Sequence, residues 1–122
     1  MRDFKDVQRK PLDVEDAIRR FNGKTNVYAA FCSMFVREYN AVPSHLESLI
    51  AEERWDSVSR LARTLKQSAE HIGAGRVVEI AARLEALSTD RNAEARTLLG
   101  PLRNELQTVT AWVNRGMGGS HC

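Results

Sequence analysis

The sequence has few of the features that define several large classes of protein. Its 122 residues include only two cysteines, Cys32 inside an apolar stretch and Cys122 at the last position, which is too few for a disulfide framework. We expect both to be free thiols. No apolar run approaches the roughly 18 residues that a membrane span needs, and the charged start MRDFKDVQRK is unlike a signal peptide. We therefore expect a cytoplasmic protein that does not enter a membrane.

An excess of charge of one sign is also missing. The 18 lysines and arginines are interspersed with 16 aspartates and glutamates, so the net charge is only +2. Nucleic-acid-binding domains usually gather basic residues on one surface or in one run, and this sequence does neither. The composition therefore gives no support to a nucleic-acid partner. A hydrophobic share of 43% and this length fit one ordinary folded domain.

The sequence has no arrangement of residues that is typical of catalysis or of cofactor binding. His45, His71 and His121 are not spaced to share a metal ion, and a pair such as His121 and Cys122 has fewer ligands than a zinc site uses. Four glutamates show no convergence that suggests acid–base catalysis, and we expect them on solvated faces. These are Glu52, Glu53, Glu79 and Glu85. We predict no catalytic residue, no metal and no cofactor.

Helical periodicity is the dominant pattern that the sequence does contain. Apolar residues recur at spacings of three and four, which places them on one side of a helix, and no strand-like alternation occurs. The predicted helices cover residues 14–22, 25–42, 43–52, 55–72, 77–87 and 95–113, with Asp13 and Thr25 as candidate caps and Pro43 in a first turn. Because Pro101 interrupts the last stripe, we predict a bend there.

Short polar turns between these helices favour antiparallel neighbours. The predicted fold is all-α, an antiparallel up-and-down four-helix bundle with one or two additional short helices. We assign residues 1–12 to an N-terminal extension, 13–115 to the bundle and 116–122 to a flexible tail.

The helix predicted at 55–72 carries a row of polar residues opposite its apolar side. The apolar side comprises Trp55, Val58, Leu61, Ala62, Leu65, Ala69 and Ile72. The opposite side comprises Arg60, Arg63, Lys66, Gln67 and Glu70, which we call the polar strip. Residues three and four apart are neighbours on a helix, so the strip forms one solvent-facing surface. We interpret it as the surface that binds a partner.

The residues of this helix carry a resemblance to a known family. LARTLKQSAEHIGA at 61–74 resembles the core motif A-H-x-L-K-G-S-A of histidine-containing phosphotransfer (HPt) domains, and the aromatic spacing from Phe21 to Tyr39 is similar to their amino-terminal part. The resemblance covers roughly residues 12–113. It implies a helical bundle that relays phosphoryl groups between receiver domains of two-component phosphorelays. In that family one exposed histidine accepts the phosphoryl group, and a lysine at the position of Lys66 helps to hold it.

Two positions depart from the motif, and the first decides the chemistry. Arg63 stands where the family has its phospho-accepting histidine, and Gln67 stands where it has a glycine. Phosphoryl transfer needs a neutral ring nitrogen with a free lone pair, whereas a guanidinium stays protonated and only donates hydrogen bonds. Gln67 also fills space that the glycine would leave for a docking partner. We predict a degenerate member of the family, a pseudo-HPt protein that cannot accept phosphate at residue 63.

The leading hypothesis is that the protein binds a response-regulator receiver domain or a sensor histidine kinase and acts as an adaptor or competitor. Arg63 would pair with the carboxylates of a receiver's phosphorylation pocket. We expect a monomer rather than a homodimer.

Two alternatives stay open. The protein could be a genuine phosphotransfer protein whose histidine was replaced by engineering, or one that relays through His71, about 12 Å along the helix from Arg63. It could also be a structural or dimerising domain. In that case Phe31, Phe35 and Tyr39 would form the interface if they were exposed.

Overall fold

A computed structural model of the protein describes residues 12–115, which contain helices and no strand. The elements in chain order are α1 (Val14–Arg20), α2 (Thr25–Tyr39), α3 (Val42–Ala51), α4 (Trp55–Ile72), α5 (Gly75–Thr89), a 3₁₀ helix (Ala93–Leu98) and α6 (Leu99–Asn114). The predicted all-α class is confirmed.

The long helices α2, α4, α5 and α6 form the predicted antiparallel four-helix bundle. Helix α4 packs against α2 and α5, and α6 packs against the same two helices from the other side. The short helices lie near opposite ends of α4. Helix α3 leads into the start of α4 and also contacts α6, whereas α1 contacts α2 and α4 near the end of α4. Two faces of α4 are thus covered, and the polar strip lies on a third.

Helix α4 ends where the sequence predicts, because Gly73 adopts a left-handed conformation. Its φ angle is +82°, and its N–H and that of Ala74 close the last turn on carbonyls of α4. A Cβ atom at this position would lie 2.9 Å from the carbonyl oxygen of Asp13. The N–H of Asp13 in turn donates to the carbonyl of Gly73 at 2.9 Å. Glycine is therefore required both by the turn and by the segment that crosses it.

The predicted helix starts are partly right. Asp13 caps α1, since its Oδ1 atom accepts a hydrogen bond from the N–H of Asp16 at 3.3 Å. Pro43 lies in the first turn of α3, as predicted. The prediction for Thr25 was wrong: Lys24 occupies the cap position, and Thr25 is the first residue of α2.

The last helix is the main departure from the predicted elements. The sequence predicts one helix over 95–113 with a bend at Pro101, but the structure has a separate 3₁₀ helix that ends at Leu98. Helix α6 begins at Leu99, so Pro101 lies in its first turn. The first N–H groups of a helix have no intrahelical acceptor, so a proline there breaks no hydrogen bond. The change of helix type at this point replaces the predicted bend within one helix.

The predicted tail at 116–122 lies outside the described residues, and so does the predicted N-terminal extension apart from Leu12, which is fully buried in the core. Between residues 12 and 115, no helix is both long enough and apolar enough to cross a membrane.

Candidate functional site

All five residues of the polar strip lie on one side of α4. Arg60, Arg63, Gln67 and Glu70 are exposed, and Lys66 is half-buried. The side chain of Arg63 is 57% exposed. The apolar residues on the other sides of the helix are buried, except that Leu61 is partly covered. Arg63, which the sequence motif aligns with the family's histidine, therefore faces solvent.

A carboxylate from the neighbouring helix holds two cations of the polar strip. Oε2 of Glu85, on α5, lies 2.9 Å from Nε of Arg63, and Oε1 lies 3.3 Å from Nζ of Lys66. These three residues are called the Glu85 cluster below. The hydrogen bond from Arg63, together with that from Lys66, keeps the pKa of the Glu85 carboxyl below its usual range. The Glu85 carboxyl is therefore ionised at neutral pH and accepts from both cations.

The sequence did not predict this role for Glu85. We expected it on a solvated face, but its side chain is only 19% exposed because α4 and α5 pack side by side over their length. A pair separated by 22 residues along the chain depends on how two helices are placed, which periodicity alone does not give.

The guanidinium of Arg63 has an unused edge. Its Nε atom donates to Glu85, and no residue in the described part of the chain accepts a hydrogen bond from Nη1 or Nη2. Two planar donors on one edge of a guanidinium match the spacing of two oxygens on a carboxylate or phosphoryl group. The contact with Glu85 leaves that edge toward solvent.

An apolar groove runs beside the polar strip, between α2 and α4. It has a volume of about 280 Å³. Its lining residues are Phe31, Met34, Phe35, Glu38 and Tyr39 from α2 and Gln67, Ser68, His71 and Ile72 from α4. At its base, the hydroxyls of Tyr39 and Ser68 share a hydrogen bond of 2.8 Å. Gln67 belongs to both surfaces, so the groove and the polar strip are continuous.

The exposed apolar residues of α2 extend this groove into a larger surface. Val27, Phe31 and Met34 are 36%, 38% and 46% exposed, and they follow one another at spacings of four and three. We call them the α2 stripe. Three residues of α2 were candidates for a dimer interface, and only Phe31 among them is exposed. Phe35 and Tyr39 are buried, with exposed fractions of 4% and 8%.

His71 lies in the groove and away from the Glu85 cluster. Its ring packs edge-on against Phe21 and Phe31, with ring centroids 5.0 Å and 5.1 Å apart. It is exposed in the last turn of α4, as the sequence indicates. A partner seated on Arg63 would therefore meet His71 at a different part of its surface.

Other chemically interesting residues are inert or dispersed. No group of three or more histidine, cysteine or carboxylate side chains within residues 12–115 is arranged to hold a metal ion. Cys32 is a buried free thiol, and its burial raises its pKa to about 11. The hydroxyl of Tyr28 is buried and donates to the carbonyl of Ile72 at 2.8 Å, which ties α2 to the end of α4.

The family assignment agrees with this geometry. A family model described as the Hpt domain matches residues 30–112, which is more than half of the chain and includes the whole of α4 and α5. The chain belongs to the Hpt domain family. Members of this family are phosphotransfer modules of two-component phosphorelays rather than classical enzymes, and they interact with receiver domains and kinases. A search of curated proteins gave no match, and neither did a search of solved structures.

Proposed function

We propose that this protein is a pseudo-Hpt module that binds a receiver domain without accepting its phosphoryl group. The observation that carries the proposal is the exposed guanidinium of Arg63, a residue that the sequence motif aligns with the family's histidine. A permanently protonated side chain has no lone pair with which to attack an aspartyl phosphate. The protein would thus take part in a phosphorelay by occupying a partner, as an adaptor or competitor.

Charge complementarity supports a receiver domain as the partner. The phosphorylation pocket of a receiver is lined by carboxylates, and the polar strip offers Arg60, Arg63 and Lys66 on one helix face. Glu85, together with Glu70 of the same strip, neutralises only part of this charge. Charged contacts of this kind raise association rates and weaken as salt rises.

The α2 stripe supplies the apolar half of the same surface. A docked domain needs desolvated contacts near the centre of its interface, and single charge pairs at the rim add little affinity. Phe31 and Met34 stand beside Gln67 in the groove, so one partner can cover both the stripe and the polar strip. A sensor kinase's phosphotransfer helices are the second candidate for this surface. Both kinds of partner act in the cytoplasm, and we propose that compartment here.

Binding to purified receiver domains of the source organism tests this proposal. At low salt we expect one or more receivers to bind. We expect Arg63→Glu to weaken the complex by about tenfold or more, since it reverses the charge of a residue at the centre of the contact. The charge-swapped double variant Arg63→Glu with Glu85→Arg keeps an ion pair between α4 and α5. It should bind as poorly as the single variant if residue 63 contacts the partner.

The matched control is Arg76→Glu, since Arg76 also pairs with a glutamate of the next helix, Glu105, at 3.3 Å. It should leave receiver binding unchanged. If no receiver binds, or if Arg76→Glu weakens binding as much as Arg63→Glu, the proposed surface is wrong. The alternative is that the α2 stripe is a dimer interface, and sedimentation at several protein concentrations tests it. Self-association that Met34→Lys abolishes would indicate such an interface.

A further inference from the structure

We propose that Glu85 is a positioning residue that turns the free edge of Arg63 toward a phosphoryl group, so that the site prefers the phosphorylated form of a receiver over the unphosphorylated form. This inference rests on the proposed function and deepens it, because it names the group that the site recognises. It would make the protein a reader of the phosphorylated state rather than a carrier of phosphate.

The geometry of the Glu85 cluster supplies the first step. An exposed arginine side chain normally samples many rotamers, and fixing it costs conformational entropy when a ligand binds. Here Oε2 of Glu85 holds Nε at 2.9 Å, while the Nη1–Nη2 edge keeps all its donors. The carboxylate itself is fixed by its partial burial and by Lys66 at 3.3 Å. Part of the ordering cost is therefore already met in the free protein.

The arrangement of donors supplies the second step. Arg63 can give two parallel hydrogen bonds to two oxygens, and Lys66 uses one contact with Glu85 and keeps further N–H donors. A side-chain carboxylate has two oxygens, and the edge of Arg63 would contact both of them. A phosphoryl group has a third oxygen within reach of a second cation. A phosphoryl ligand can therefore give Arg63 and Lys66 separate oxygens, whereas a carboxylate ligand would have to share its two oxygens between them.

Charge supplies the third step. Two cations and one carboxylate give the Glu85 cluster a formal charge of +1, and the other charged residues of the polar strip, Arg60 and Glu70, cancel each other. Attraction grows with the charge of the ligand, so a phosphoryl dianion gains more than a carboxylate monoanion at the same distance. Both the donors and the charge therefore favour the phosphorylated aspartate.

Small ligands can test this on the isolated chain, before any receiver is involved. Acetonylphosphonate is a stable mimic of an acyl phosphate, and acetate mimics an unmodified aspartate. Each would be titrated at matched ionic strength while side-chain and backbone resonances of Arg63 and Lys66 are followed by NMR. We expect the phosphonate to bind roughly tenfold more tightly than acetate, the ratio that one extra charge-assisted hydrogen bond supplies.

The sign of the change in Glu85→Gln separates positioning from simple electrostatics. Removal of a negative charge alone would favour the dianion and raise the ratio of phosphonate to acetate affinity. Loss of positioning would lower this ratio. We expect the ratio in Glu85→Gln to fall to about the ratio in Arg63→Lys, a variant that keeps the charge but loses the planar edge. Glu105→Gln removes a similarly covered partner of another arginine and should leave the ratio unchanged.

A ratio near one in the native protein, or a ratio that rises in Glu85→Gln, would overturn the inference. Because the titration contains no receiver, that result leaves the receiver-binding proposal standing. Conversely, a receiver that fails to bind would not alter the measured preference for the phosphonate. Circular dichroism verifies that each variant is folded. If Glu85→Gln does not fold, the ratio of phosphonate to acetate affinity in Arg63→Lys provides the test.

Discussion

The Nε atom of Arg63 donates to Oε2 of Glu85 at 2.9 Å, which joins the two helices that pack most extensively in the bundle. The guanidinium of Arg63 therefore has one of its N–H groups engaged by a carboxylate of α5. It lacks the lone pair of an imidazole, but it keeps an edge of donors toward solvent. Under the proposed function, this contact orients the group that takes the place of the nucleophile.

Replacement of Glu85 by glutamine should change how stability depends on pH. Because Arg63 and Lys66 lower the pKa of Glu85 in the folded state, ionised Glu85 stabilises the fold. This contribution is complete above the ordinary glutamate pKa of about 4.3 and is lost as the pH falls through the lower pKa of the folded state. We expect Glu85→Gln to reduce the free energy of unfolding at pH 7 and to match the native protein in strong acid, as measured by urea denaturation. An equal difference at both pH values would contradict this.

The α2 stripe should matter for binding. Phe31 and Met34 are 38% and 46% exposed, so their replacement by serine removes part of the buried area of each side chain and should lower the free energy of unfolding by about 1–2 kcal/mol. The same changes should weaken the complex with a receiver severalfold, measured by calorimetry. Phe35→Ser provides the contrast, because Phe35 is buried and its loss should lower the free energy of unfolding by about 3–5 kcal/mol. Unchanged receiver affinity in both surface variants would exclude the stripe from the interface.

Replacement of Gly73 should be costly. Alanine there must adopt a left-handed conformation, and its Cβ would lie 2.9 Å from the carbonyl oxygen of Asp13. We expect Gly73→Ala to lower the free energy of unfolding by at least about 1–2 kcal/mol. Gly75→Ala is the matched control, since a Cβ there meets nothing within 4 Å and the residue begins α5. It should be neutral or slightly stabilising in the same urea titration, and equal losses in the two variants would argue against this account of the turn.

Cys32 should be unreactive while the protein is folded. Its burial raises the thiol pKa to about 11, so the reactive thiolate is scarce at pH 8, and the side chain is also covered. In a Cys122→Ser background, iodoacetamide should alkylate Cys32 slowly in buffer and rapidly in denaturant, as followed by mass spectrometry. Alkylation in buffer at the rate of the denatured chain would show that the thiol is not protected.

The sequence predicted those elements that local patterns determine. Helix α4 carries a strong division into apolar and polar sides and ends at a glycine, so its bounds and its exposed strip could be read from spacing alone. The 3₁₀ helix could not be separated from α6, because Ala95, Leu98, Leu99 and Leu102 continue one apolar stripe at spacings that both helix types share. Only the packing of the chain distinguishes them.

The candidate site was predicted in part for the same reason. Arg63 and Lys66 follow from a motif within one helix, whereas Glu85 joins them only because α5 lies beside α4. Likewise, the sequence places the aromatic residues of α2 on one apolar side and does not predict which of them are exposed. The positions of α4 and α6 decide that Phe31 is exposed and Phe35 is buried.

The most direct test of the central claim is the transfer of labelled phosphate from a phosphorylated receiver. The native protein should acquire no label, because a guanidinium at residue 63 cannot attack the aspartyl phosphate. The double variant Arg63→His with Gln67→Gly restores both motif positions and serves as the positive control for the assay. Label on the native protein at any residue, including His71, would contradict the account.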